Sequence, residues 1–343
     1  MSLAQAPATH TVSLFRHPLH FPSTVWASLE GCPQSSNIIY AHAAKLAEIA
    51  IDPDSLQSSD LWIVCWTTST TASASTVDFI LSCTEGPLGA YPIFIFSPPR
   101  SDGLASDFIE PRIKSMVAAL GAHVAPERVF SVFALDAVAD AFAAAWTAQT
   151  GVQLDPNPVY YHAKFMQCTK ETFIRSSQKQ LSDQHVGLRP AVLADVDGVA
   201  RLCHGFAAAS EPFVLTEQRA HLEAITLILN GQVWVHTAGE QGSQIACIVA
   251  VTRTTDNVAA ITKVYTCPEW RSRGCAERLV RHVCGSLLQT KESIVLYVAH
   301  NNPAAAKVYE RVGFIGFESC SGQSADSWKE LGFDRDVVQV GHW

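Results

Sequence analysis

The segment 264–288, VYTCPEWRSRGCAERLVRHVCGSLL, constrains the fold of this chain more than any other. A strand-like run ends near Thr266, Pro268 punctuates it, and Arg271, Ser272, Arg273, Gly274, Cys275 and Ala276 lead straight into a helix. Ala276, Leu279, Val280, Val283 and Leu287 form one stripe on that helix, so it needs an apolar surface to lie on. The helix start has chemistry of its own. Its first N–H groups lack intrahelical acceptors and its dipole end is positive, which draws anions. Gly274 lets an anion approach the backbone, Ala276 keeps the next turn small, and Arg271 and Arg273 add cations. The arrangement suits a pyrophosphate; it also describes an ordinary strand–turn–helix with a glycine turn.

Around this segment the pattern is mixed α/β. After Leu188-Arg189-Pro190-Ala191, a helix runs through Leu193, Val196, Val199 and Leu202, and another covers 217–229, stopped by Gly231. Strands are expected at 233–237 and 244–252, with a Thr255-Asp256-Asn257 turn into 258–266. A helix at 276–288, a strand at 293–298, a helix at 303–311 and closing strands at 314–318 and 337–340 complete this half. The first half repeats the alternation, with strands at 61–67, 78–83, 91–96 and 128–134. One helix there carries Ile109, Ile113, Met116, Val117 and Leu120; another spans 137–148 with Val138, Phe142 and Trp146 on one face. The polar run 176–187 reads as a linker, so 343 residues divide into domains 1–180 and 181–343.

Composition removes several function classes. Hydrophobic residues are 48% and charged residues 16%, the reverse of a disordered chain. A net charge of −8 provides no basic stripe for nucleic acid. The uncharged stretch 61–77 turns to Ser and Thr after six residues, too soon for a membrane span. The N-terminus shows no charged region followed by an apolar core, so a cytoplasmic location and free thiols at all ten cysteines are expected. No C-x-x-C occurs, and His17 and His20 flank Pro18 as an exposed turn, so no metal is expected.

A second motif lies at 302–314, NPAAAKVYERVGF. Asn302 can cap a helix, Pro303 fits its first position and Gly313 ends it. Ala305, Val308, Tyr309 and Val312 share a face, and the alanines permit close approach to a thin ligand. Taken alone, Tyr309 reads as a core tyrosine. Taken together, strand, R-x-x-G-x-A, helix, strand and N-x-x-A-x-x-x-Y-x-x-x-G-F resemble the GNAT superfamily of N-acetyltransferases over about residues 186–343.

The resemblance implies a central mixed sheet flanked by helices and acetyl-CoA as cosubstrate. It implies that the backbone at Val264, Tyr265 and Thr266 pairs with the pantetheine arm. The loop from Arg271 through Ser272, Arg273, Gly274 and Cys275 to Ala276 would cradle the pyrophosphate, with Asn302 and Ala305 flanking the coenzyme. Tyr309 matches the tyrosine that protonates the departing thiolate in this family. The acceptor would be a small-molecule or peptide amine, attacking the thioester directly, so alignment supplies much of the rate. Many members carry a glutamate base in the strand before the cradle, and residues 258–262 hold no carboxylate. Glu211, His236, Asp256 and His300 are candidates by residue type alone, beside a water relay. A non-catalytic acyl-CoA-binding or scaffold protein with the same fold is the alternative.

The first half echoes the second. Phe94-Ile95-Phe96-Ser97-Pro98 precedes Arg100-Ser101-Asp102-Gly103-Leu104-Ala105 as 264–268 precedes 271–276, and Phe142, Trp146 and Gly151 parallel Ala305, Tyr309 and Gly313. About eight extra residues come after Gly103, placing the helix start near Pro111. Asp102 would repel a pyrophosphate, and Trp146 stands in place of the tyrosine. This is similar to tandem GNAT chains, with the first copy here read as degenerate; the alternative is a coincidental repeat in some other α/β domain. A monomer is expected if the two halves pack as a pseudo-dimer. The loop 319–331 would border the acceptor entrance.

Overall fold

The computed structural model describes residues 9–48, 60–68, 75–99, 103–175, 187–239, 242, 244–316 and 327–342. The chain forms two compact units, Met1–His162 with Glu318–Trp343, and Ala163–Phe317. The division therefore falls at 162/163 instead of 180/181, and the C-terminal segment joins the first unit. Of the expected linker 176–187, all but the last residue lies outside the described residues.

The first unit runs β1 (Thr9–Phe15), α1 (Ser23–Glu30), α2 (Asn37–Glu48), β2 (Leu61–Thr68) and β3 (Ser75–Cys83). Next come the small hairpin β4 (Glu85–Gly86) and β5 (Gly89–Ala90), then β6 (Ile93–Phe96), α3 (Ser106–Gly121), β7 (Ser131–Leu135) and α4 (Asp136–Thr150). The long strand β8 (Leu154–Thr169) leads out of it. The second unit continues with β9 (Gly187–Pro190), α5 (Val196–Ala208), α6 (Glu217–Leu229), β10 (Val233–Ala238), β11 (Gln244–Thr254) and β12 (Val258–Thr266). The unit ends with α7 (Cys275–Leu287), β13 (Ser293–Ala299), α8 (Pro303–Val312) and β14 (Ile315–Gly316); β15 (Ser327–Phe333) belongs to the first unit.

Both units are built on one plan: a strand, two helices, two antiparallel strands, a third strand, a helix, a parallel strand and a helix. In the first unit, β6 pairs with β3 antiparallel through Phe96, and with β7 in parallel only at Ile93↔Val132 and Phe94↔Phe133. In the second, β12 pairs with β11 antiparallel through Thr266, and with β13 in parallel only from Val258↔Ser293 to Ile261↔Leu296. Beyond the last helix of the plan, the chain departs from a simple repeat. Residues 163–169 of β8, which come after α4, pair with β13 of the second unit, while β15, which comes after α8, pairs with β7 of the first. Each unit thus completes its sheet with a strand from the other half of the sequence.

Several expectations change. The segment 327–331, expected in a loop, is strand, because Trp328, Glu330 and the residues after them turn inward; Glu330 is fully buried and accepts from Ser131 Oγ at 2.6 Å. The remainder of that loop, through Asp326, lies outside the described residues. Residues 337–340 are irregular, so β15 closes the sheet in their place. Helix α3 starts at Ser106 and holds Pro111 in its second turn, instead of starting there. His17 is buried, its Nδ1 accepting from the Leu19 N–H at 3.2 Å in the short turn Pro18–His20.

In the second unit the sheet lies between two helical layers. One apolar cluster joins α5 and α6 to β10 and β11 through Val199, Leu202, Cys203, Ala224, Leu227, Val235 and Ile248. The other joins α7 and α8 through Leu279, Val280, Val283, Tyr309 and Val312 to Ala259, Ile294 and Leu296. Among the described residues, no helix is long and apolar enough to cross a membrane.

Candidate functional site

The site begins where β12 leaves β13. Pairing with β13 ends at Ile261, and at that point the β11–β12 register slips, because Ala250 faces Lys263 while Val251 faces Ile261. Thr262 is the extra residue of a bulge, which bends a strand and ends its pairing. Its hydroxyl lies 3.0 Å from that of Thr252, the extra residue of a second slip on β11. Beyond the bulge, Val264, Tyr265 and Thr266 stay paired to β11 on one side only, which leaves a wedge open toward β13.

Arg271 folds back onto the end of this wedge. Its Nε donates to the Thr266 carbonyl at 3.3 Å, another nitrogen reaches the Tyr265 hydroxyl at 3.3 Å, and the guanidinium lies 5.5 Å from that ring's centre. Arg273 lies over the Trp270 ring at 4.8 Å. Ser272 and Gly274 both adopt left-handed backbone, with φ of 59° and 75°. Gly274 is the N-cap of α7, and no side chain caps that helix end. The first-turn N–H groups are therefore left for an incoming acceptor. Cys275 is buried, with its thiol pushed up by burial, and Ala276 packs half-buried on the core.

Nothing in the sequence pattern marks Arg278, yet it leans back over the turn. A β-carbon on Gly274 would stand 3.0 Å from an Arg278 terminal nitrogen. Arg278 Nε donates to Nε2 of His236 at 3.3 Å, and its other terminal nitrogen lies 3.7 Å from Cys275 Sγ.

Helix α8 forms as its motif predicts. Asn302 Oδ1 accepts from the Ala305 N–H at 3.1 Å, and Gly313 ends the helix at φ 111°. A β-carbon on Gly313 would collide with the Thr172 carbonyl. Asn302→Ala is expected to cost about 1 kcal/mol of stability through loss of the cap; urea unfolding measures it. Tyr309 is 8% exposed, its ring centre 5.7 Å from that of Phe314. Among the described residues its hydroxyl has no hydrogen-bond partner. Burial, with Cys247 and Cys284 nearby, holds the phenol well above its ordinary pKa, so it stays protonated. Thr266 Oγ1 donates to Cys247 Sγ at 3.3 Å, which connects the end of β12 with the core that holds Tyr309. Burial pushes the Cys247 thiol up to about 12.

The structure separates the candidate bases. His236 is fully buried, and burial followed by Arg278 lowers its pKa. Asp256 lies in the β11–β12 turn, at the opposite end of β12 from Thr266, about 30 Å away at 3.3 Å per strand residue. Glu211 is exposed between α5 and α6, and His300 is exposed between β13 and α8. A carboxylate that the sequence pattern does not reveal reaches β12 from α6: buried Glu223 accepts from the Lys263 ammonium at 2.5 Å. Lys263 thereby neutralises it. Among the described residues, no cluster of three or more His, Cys, Asp or Glu could hold a metal ion.

In the first unit the corresponding turn is only partly visible, since Arg100, Ser101 and Asp102 lie outside the described residues. Gly103 has φ 73°, close to that of Gly274. Trp146 on α4 is fully buried and stacked on Phe142 at 6.0 Å.

Residues 200–314 match the model of the acetyltransferase (GNAT) family. No curated protein sequence matches the chain. The fold is similar to that of a GCN5-related N-acetyltransferase from Sphaerobacter thermophilus, at 15% identity and a TM-score of 0.53, covering 96% of this chain and 98% of that one. It is also similar to a Drosophila protein of solved structure, at 12% identity and a TM-score of 0.60, covering 91% and 95%. Both units are thus included in the likeness.

Proposed function

Because residues 200–314 carry a domain of the GNAT acetyltransferase family, we propose that the second unit binds acetyl-CoA and passes its acetyl group to a primary amine. The observation that carries this reading is the start of α7. It is uncapped, opened by a left-handed glycine, and flanked by Arg271, Arg273 and Arg278, none ion-paired among the described residues. A diphosphate is opposite in charge to that array and offers several acceptor oxygens to its N–H groups. The one-sided backbone of Val264, Tyr265 and Thr266 takes the pantetheine amides, Cys275 and Ala276 lend their N–H groups to the pyrophosphate, and Asn302 and Ala305 border the coenzyme.

The amine nitrogen then attacks the thioester carbonyl, the carbon–sulfur bond breaks, and Tyr309 gives its proton to the leaving thiolate. The ammonium proton leaves to water, and the tyrosinate is reprotonated from solvent. Direct attack needs no covalent enzyme intermediate, so alignment in the wedge and backbone donors at the splayed strand provide the acceleration. The first unit takes no coenzyme in this reading, since Trp146, which the repeat sets against Tyr309, is a fully buried indole with no acid to offer.

Calorimetric titration with acetyl-CoA tests the proposal, followed by CoA release with small amines and peptide amines. One site and turnover with at least one amine class are expected. No binding overturns the reading; two sites overturn the inert first unit. Binding without turnover on any amine leaves a non-catalytic acyl-CoA-binding protein.

A further inference from the structure

Long side chains on a helix lean toward its N-terminus, so a residue four places after the cap lies over it. Arg278 holds that place relative to Gly274. Two of its three guanidinium nitrogens are fixed: Nε donates to His236 Nε2 at 3.3 Å, and one terminal nitrogen lies 3.7 Å from Cys275 Sγ. Both of these acceptors are neutral. An imidazole that accepts at Nε2 carries its proton on Nδ1, and His236 is fully buried. The remaining terminal nitrogen, beside Gly274, has no partner among the described residues. The acid next to it in sequence, Glu277, is bound to Arg281 at 2.9 Å and to Arg311 at 3.4 Å. An unpaired cation in the first turn of a helix opposes the helix dipole, which favours an anion beside it.

The first unit shows the contrast. On α3, Arg112 is also buried near the sheet, but its Nε meets Asp78 at 2.8 Å, and its terminal nitrogens reach Thr67 Oγ1 at 2.8 Å and the Phe108 carbonyl at 3.0 Å. That guanidinium is neutralised and fully engaged within the protein. In the second unit a neutral histidine takes the supporting role, which fixes the direction of the arginine without using its charge.

We propose that Arg278 is a phosphate ligand of the cradle and that His236 is the positioning residue that aims its free nitrogen at the anion. The proposal rests on the reading of the second unit as a CoA site.

Calorimetry with three probes, CoA, inorganic pyrophosphate and S-acetylpantetheine, tests it. Arg278→Gln is expected to weaken CoA and pyrophosphate about 10- to 100-fold, the range for one hydrogen bond to a charged group, and to leave S-acetylpantetheine unchanged. His236→Leu should weaken the same two probes, and His236→Gln, whose amide oxygen can accept from Arg278, should restore them. A merely structural histidine would not discriminate among the probes or respond to that rescue. Circular dichroism establishes that each variant folds. If Arg278→Gln does not fold, Arg278→Lys replaces it, and wild-type affinity for CoA in either variant overturns the proposal. Wild-type protein that binds pyrophosphate but not CoA overturns the CoA reading and keeps the cradle; binding of neither overturns both.

Discussion

Gly274→Asp is expected to weaken CoA binding more than about a hundredfold. Three effects act together on one atom position. The left-handed φ of 75° is strained for a residue with a side chain, at about 1–3 kcal/mol. The new β-carbon would meet an Arg278 nitrogen at 3.0 Å. The carboxylate would then pair with that arginine and occupy the place of the phosphate, turning an attractive site into a repulsive one. Gly274→Ala isolates the first two effects and should retain CoA affinity to within about tenfold, since its strain is at the low end of that range. Gly103→Asp, in the first unit, should leave CoA affinity unchanged. Calorimetry on the three variants decides the matter: equal losses from Gly103→Asp and Gly274→Asp would remove the assignment of the cradle to the second unit.

Tyr309→Phe is expected to lower kcat about 10²- to 10⁴-fold, the range for loss of a general acid, while CoA affinity stays near wild type. The structure makes this a clean substitution. The ring packs against Phe314 and the α7 core, and phenylalanine preserves those contacts. The hydroxyl has no hydrogen-bond partner among the described residues, so its removal orphans nothing in the protein. Steady-state turnover with the best amine from the panel gives kcat, and the same titration gives affinity. Full turnover in the variant would refute the acid role.

What the sequence reveals of this site is what is locally encoded. The α7 stripe, its Gly274 start, the Asn302 cap and the Gly313 stop each depend on residues within a turn or two, and the structure shows these helices within a residue of the expected bounds. The strands expected at 233–237, 244–252 and 258–266 form with the first one residue and the second two residues longer, because β-branched runs and a tight turn mark them. Strand β8 was not. Pro156 and Pro158 at its start argue against a strand, and residues 163–169 become one by pairing with 293–299, a partner no local pattern can name. Strand β15 hid behind its own charges: Lys329 pairs with Asp140 at 2.8 Å and Glu330 with Ser131, so polar letters are consumed by partners nearly two hundred residues away. The same holds at the site. Arg278 reads as one more basic residue on an exposed helix face until His236, on β10, is placed beneath it. Lys263 and Glu223 read as surface charges until α6 is laid on β12.

The exchange of β8 and β15 leaves each half of the sequence dependent on the other for one strand of its sheet. A fragment ending at residue 180 would keep residues 163–169 without β13 to receive them and would present the edge of β7 bare, because β15 is missing. A fragment beginning at 181 would expose the edge of β13 and carry an orphan β15. Unpaired edges of buried, apolar strands recruit other chains. Cutting the chain between its two halves is therefore expected to leave each with an open sheet edge prone to aggregation.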